Sequence, residues 1–306
     1  MSFFEGTLSR IRPIAAVLLV SLAAAAAAQP VSVRDSLDRA LTLPAPARRV
    51  VSLNPSATES LFGIGAGDTV AGVTSYCTWP REASLRPRVG GYTSESISLE
   101  RLLALKPDLV VTGGPVHVSI RGSLESLGIP FYVFEPSSVA GTLKCLADLG
   151  SLTGKAEGAE SLVRTLRRDL EAISARVAPI PASARIRVFW EVYNEPLMTC
   201  GSSSFLHELI GLAGGVNVFE DLERPWALIS PEEALRRSPQ VILAADDHAP
   251  GFTAENLVRR PGWSELPAVR AGRVYLLPAD PVNRTGPRLA EGVLSIARVL
   301  YPELFP

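Results

Sequence analysis

Three histidines, three cysteines and two methionines are all that 306 residues carry of the side chains that hold soft or borderline metals. His117, His207 and His248 fall in different segments, whereas a metal site needs several such groups converging, so neither a metal nor a cofactor is expected. Cys77, Cys145 and Cys200 match no zinc or redox spacing. Being odd in number, they allow one disulfide in an oxidising compartment without saying which pair forms it. Cys145 lies among Leu143, Leu146 and Leu149 and reads as core. Excess charge is lacking too: a formal net charge of −1 provides no bulk field for nucleic acid or an anionic membrane. Also missing are a Gly-x-Ser-x-Gly elbow, a Gly-rich phosphate loop and a His-Glu-x-x-His helix. The chain therefore reads as a binding protein and not an enzyme. The rival from another class, an exported α/β hydrolase, would need a convergent nucleophile and base.

Long apolar runs are confined to the N-terminus. Ile14 to Ala28 is broken only by Ser21, follows Arg10 and Arg12, and ends in small residues, with Ala26-Ala27-Ala28 before Gln29. That is the layout of a secretory signal peptide, and it is shorter than the roughly 20 apolar residues of a membrane span. Cleavage near Ala28 leaves no cysteine to carry a lipid. It removes two Arg and one Glu, so 28 basic and 30 acidic residues remain, a net charge of −2. The mature chain is expected to be soluble and outside the cytoplasm, with no membrane insertion and no nucleic-acid partner.

What is present is 47% hydrophobic and 20% charged, a globular composition, and it is used twice. Residues 29–48 read as an extended lead-in, 49–150 as a first lobe, 151–184 as a linker with a long helix and 185–306 as a second lobe. In the first lobe Arg49 to Leu53 reads as a buried strand. A helix follows in which Ser56 and Glu59 have capping-box spacing; it stops in the Gly63–Gly67 cluster, and Val70 to Thr74 is the next strand. Leu61, Gly63, Gly67 and Val70 recur as Leu209, Gly211, Gly215 and Val218, each 148 residues on. A second unit, a Ser-capped helix stopped by Pro and followed by a strand, runs from Ser98 through Pro107 to Val111. It recurs from Ser230 through Pro239 to Leu243. Pro130 to Phe134 and Arg273 to Leu277 are the matching terminal strands. Alternation of this kind predicts an α/β fold: two similar lobes with mostly parallel sheets flanked by helices. Between them Ala156 to Val177 carries an apolar stripe at spacings of three and four, one long backbone helix that predicts stiff, small opening.

Large aromatics fall just after predicted strands. Tyr76 and Trp79 follow Val70–Thr74, Tyr92 follows Gly90-Gly91, Tyr193 ends the strand from Arg187, and Trp226 sits in a Pro turn. Ligands bind outside the carboxyl ends of strands in open parallel sheets, and aromatics there offer flat contact to a ring system. Asp280, Pro281, Val282, Asn283 and Arg284 also follow a strand and can hydrogen-bond a ligand's rim. Glu100 and Glu232 occupy matching first turns, where the helix dipole favours a carboxylate. One acidic knob per lobe suits a two-fold symmetric partner with basic pockets.

Four stretches carry a family resemblance: Val50 to Glu59, Leu99 to Val110, Gly214 to Phe219 and Gly286 to Leu289. On these residues the chain resembles the periplasmic binding proteins for vitamin B12, haem and iron-siderophores, the class with a helical backbone between lobes. The resemblance spans Arg48 to Pro302. Within the class the likeness is greatest to members that bind vitamin B12. It implies a monomer that carries cobalamin or a related corrinoid to the permease dimer of an ABC importer. Tyr76, Tyr92, Trp226 and Asp280 to Arg284 would then be contacts, and Glu100 and Glu232 the salt-bridge partners of the permease subunits. The departures are Val192 and Met198, which replace two cleft phenylalanines, and Thr112, which replaces a tryptophan. They thin the aromatic lining and keep haem, with Tyr76, Tyr92 or Tyr193 as an iron ligand, and siderophores as alternatives.

Overall fold

The computed structural model describes residues 29–246 and 252–306; the expected signal peptide and His248 lie outside the described residues. The lead-in is more than an extended segment. Alternating apolar positions pair β1 (Val31–Arg34) with β2 (Ala40–Leu43) as an antiparallel hairpin. The hairpin is tied to the first lobe by the bond from Ser36 N–H to the Val133 carbonyl and stiffened by Asp35, 5% exposed and paired with Arg39.

The first lobe holds β3 (Val50–Ser52), β4 (Val70–Val73), β5 (Leu109–Thr112) and β6 (Phe131–Val133), all parallel in the order β4-β3-β5-β6. The second holds β7 (Arg187–Tyr193), β8 (Met198–Cys200), β9 (Val216–Asn217), β10 (Trp226–Leu228), β11 (Val241–Ala245) and β12 (Val274–Leu277). Its parallel strands run β9-β7-β11-β12, the same order as in the first lobe. Antiparallel β8 and β10 are added on the far half of β7, where the first lobe has no counterpart. The strand expected after Gly215 shrinks to the two residues of β9, because β8 occupies the rest of that edge of β7. Central strands are buried on both faces, as in parallel sheets clad by helices on each side; Leu109, Val110, Val111, Val241, Ile242 and Leu243 are each 0% exposed.

The described helices are α1 (Pro55–Gly63), α2 (Arg81–Ser84), α3 (Leu99–Ala104), α4 (Val118–Ser126), α5 (Val139–Leu152), α6 (Ala156–Val177), α7 (Phe205–Leu212), α8 (Pro231–Arg237), α9 (Ala254–Val258), α10 (Pro267–Arg270), α11 (Ala279–Asn283) and α12 (Leu289–Leu300). The Ser98 and Ser230 side chains accept from Arg101 N–H and Glu233 N–H and so cap α3 and α8. After α3 and α8 the chain turns through Lys106 at φ 47° and Ser238 at φ 45°. This left-handed conformation is uncommon for residues other than Gly, and the lobes repeat it at matching places. The capping-box reading of α1 does not hold: Asn54 is the N-cap and accepts from Ala57 N–H. Glu59 is turned inward for another purpose.

The long helix α6 has the 22 residues expected, about 33 Å at 1.5 Å per residue. Ala159, Leu166, Leu170, Ile173 and Val177 are buried along its inner stripe. It packs on α5 and α1 of the first lobe and on α12 and α7 of the second. One continuous apolar core runs beneath it from Val50 and Phe134 to Val188 and Ile296, while the outer face of each lobe has a separate core. A shared core makes the helix side of the molecule the stiff side, and the cleft opens opposite it. All three cysteines are buried free thiols, so the possible disulfide is not formed.

Candidate binding cleft

The carboxyl ends of both sheets face one cleft of about 660 Å³. Asn54, Pro55 and Ser56 reach it from the turn after β3, Tyr76 from beyond β4, and Glu135 from immediately after β6. The second lobe contributes Trp190, Glu191 and Val192 from the end of β7, Ser204 and Phe205 from the start of α7, and Trp226. Val282 to Thr285 follow β12 and line it as well. Position at the carboxyl ends of parallel strands brings the first-lobe, β7 and β12 residues together, because every such end faces the same side, while Trp226, Ser204 and Phe205 arrive from antiparallel β10 and the segment after β8.

On the first-lobe wall Tyr76 and Tyr92 lie with ring centroids 5.8 Å apart and tilted by 57°. Beneath them His117 is fully buried and 5.9 Å from the Tyr92 ring. Gly113 N–H donates to His117 Nδ1 at 2.6 Å, which leaves Nε2–H to donate to the Tyr92 carbonyl at 2.7 Å. Those bonds fix the tautomer and anchor the Tyr92 backbone. Burial lowers the His117 pKa and outweighs the bond to Tyr92, so the ring is held neutral. Burial first, and the charge of Glu135 second, push the Tyr92 phenol above its ordinary value. Opposite, Trp226 exposes 48% of its surface toward the opening.

Behind the cleft a polar network, reached at the lining through Arg284, forms a floor that joins the lobes. Glu59 of α1 is 2% exposed and takes Arg284 and Arg288 of the second lobe at once. Arg288 binds it through Nε at 2.9 Å and Nη2 at 2.7 Å. Asp280 closes the network, 2.8 Å from Arg284 and 2.9 Å from Arg288. The Arg288 guanidinium also lies 5.0 Å from the Trp79 ring centroid. On the second-lobe wall Glu191, 1% exposed, is held by Arg260 through bonds of 2.6 and 2.9 Å.

Six of the residues singled out from the sequence line the cleft: Tyr76, Tyr92, Trp226, Val282, Asn283 and Arg284. Four others do not. Tyr193 stands opposite Met198 in the β7–β8 pair, 49% exposed. Asp280 serves the floor network, and the Pro281 carbonyl packs so closely on Gly292 that a Cβ there would meet it at 2.2 Å. Trp79, read with the aromatics, backs Arg288 instead of the cleft. Glu100 and Glu232 are both exposed in the first turns of α3 and α8, and no ion pair holds either among the described residues. The Glu232 pKa is lowered by hydrogen bonds from its own backbone N–H and from Ser230. Selecting for aromatics passed over Asn54, Glu135 and Ser204, although each follows a strand or opens a helix and so satisfied the same positional rule.

Two like-topology lobes on one long helix, with one cleft between their strand ends, define the fold of a bilobed solute-binding protein. The chain belongs to the periplasmic binding protein family, which matches residues 50–281, a family of substrate-binding proteins. It is 31% identical over 281 residues, 90% of this chain and 87% of the relative, to an uncharacterized ABC transporter substrate-binding lipoprotein, YvrC, of Bacillus subtilis. It is 35% identical to the vitamin B12-binding protein of Salmonella typhimurium, over 81% of this chain and 90% of the relative. Among solved structures it resembles the periplasmic vitamin B12-binding protein BtuF of Vibrio cholerae. There the TM-score is 0.70 at 27% identity, covering 84% of this chain and 98% of the other. The expected fold class and family both stand. Among the described residues no helix is long and apolar enough to cross a membrane.

Proposed function

We propose that this protein captures cobalamin or a related corrinoid outside the cytoplasm and delivers it, as a monomer, to the permease dimer of an ABC importer. Export by a signal peptide cleaved near Ala28 completes the reading. The observation that carries it is the cleft itself: Tyr76 and Tyr92 on one wall and Trp226 on the other suit a broad, flat, amide-rimmed ring. The vitamin B12-binding relatives point the same way. Haem held by a tyrosinate is less well served at Tyr92, whose surroundings favour the neutral phenol. Binding needs no covalent step, and Glu100 and Glu232 present one exposed carboxylate per lobe to the permease. Calorimetry with cyanocobalamin and hemin side by side tests the reading. A submicromolar isotherm with the corrinoid supports it, and heat from hemin alone overturns the corrinoid assignment.

A further inference from the structure

Among the described residues the cleft lining carries three charged side chains, Glu135, Glu191 and Arg284. Two are balanced where they stand. Glu191 is matched by Arg260, and Arg284 shares a network of two guanidiniums and two carboxylates with Arg288, Glu59 and Asp280. Glu135 is not balanced. It projects from the end of β6, exposed at the cleft, with no cation within ion-pair distance among the described residues. Its Oε2 accepts from Gly114 N–H at 2.9 Å, and among the described residues no donor reaches Oε1. The carboxylate is seated, not trailing in solvent: it lies so close over Gly114 that a Cβ there would be 2.8 Å from Glu135 Cδ. Arg121 feels the Glu135 charge but forms no ion pair with it, and its Nη1 donates to the carbonyls of Gly113 and Gly114.

We infer that Glu135 is a specificity residue that sorts tetrapyrrole cargo by the chemistry of its rim, accepting hydrogen bonds from amide N–H groups and repelling carboxylates. The inference rests on the corrinoid reading above and deepens it. A corrin such as cobalamin carries primary amides at its periphery, and haem carries two propionates. A carboxylate held at the cleft wall without an ion pair costs an anionic ligand more than it costs an amide. Selection here works by a repulsive element as well as by contacts. Tyr92 reports the same field, since the charge of Glu135 helps to raise its pKa.

The test uses two pairs of probes that differ only in their rims, at pH 7.5: dicyanocobinamide against dicyanocobyrinic acid, and hemin dimethyl ester against hemin. The expected result is a preference for the member with the uncharged rim in each pair of roughly tenfold or more. In Glu135→Gln, which keeps the shape and an acceptor for Gly114 N–H, that ratio falls toward one. An unchanged ratio in the variant, or no preference in the unaltered protein, overturns the inference while leaving the corrinoid reading in place. Preference for the uncharged rim among porphyrins, with no corrinoid bound, overturns the cargo assignment and keeps the role of Glu135. Binding of none of the four overturns both.

Discussion

Replacing Glu59 by Gln is the most informative single change to the fold, because one buried carboxylate joins the two lobes. Its side chain is 1% exposed, and the side chains of Arg284 and Arg288 are only 18% and 16% exposed. Removing one member of a buried, hydrogen-bonded charge pair costs about 3–5 kcal/mol, since the partner is left charged in a dry place. Here the loss is smaller, because Asp280 stays within 2.9 Å of both arginines and a Gln oxygen can still accept one bond. A loss of about 2–3 kcal/mol is expected. At roughly 2–4 °C per kcal/mol for a chain of this size, thermal denaturation followed by circular dichroism falls by about 5–10 °C. Asp169→Asn is the control. Its pair with Arg168 is 73% and 42% exposed, and such surface pairs contribute about 0–1 kcal/mol. Equal midpoints for Glu59→Gln and Asp169→Asn would refute the idea that this network holds the lobes.

How much of this was legible beforehand varies with the range of the interaction. Helix α6 is bounded where its apolar stripe begins and ends, and Ser98 and Ser230 cap as read, because stripe and cap are decided within a few residues. The repeat reached further than its motif, down to left-handed turns at Lys106 and Ser238. Local reasoning failed at Ser56 and Glu59, whose spacing imitates a capping box. What decides Glu59 is an arginine 225 residues away in sequence, and no spacing rule carries that distance. The β7–β8 pairing was missed for a similar reason: nothing in Met198–Cys200 marks it as a strand that takes most of this side of β7 from β9.

The site divides along the same line. Topology places residues at the carboxyl ends of parallel strands, which is why Tyr76 and Glu135 reach one cleft, whereas Trp226 reaches it from the start of antiparallel β10. Which of those residues face inward depends on packing. Met198 and Tyr193 stand opposite each other across the β7–β8 pair and not in the lining, and Asp280 turns to its arginines. Charge balance is a tertiary property as well. Glu135, Glu191 and Glu59 look alike in the chain, and only their partners show that one is unpaired.

Two further outcomes separate surface from interior. Glu100→Arg combined with Glu232→Arg should leave corrinoid affinity within about twofold, since both positions are exposed and outside the cleft lining. It should weaken association with the permease at least about tenfold, because reversed rim charges repel basic pockets; pull-down and transport assays read this, and unchanged transport refutes docking at these carboxylates. His117 supplies a pH dependence whose sign follows from its burial. Folding lowers its pKa below the unfolded value, which is about 6.5, so as pH falls the unfolded chain takes up the proton first. The contribution is therefore complete above about pH 6.5 and is lost as pH falls through the folded-state pKa. Protonation would also place a donor at Nδ1 against Gly113 N–H, removing the bond that fixes the ring under Tyr92. Urea denaturation midpoints should fall between pH 7.5 and 5.0 in the unaltered protein. In His117→Gln they should start lower and change less over that interval, and a variant with the same pH slope would show that this imidazole is not the group responsible.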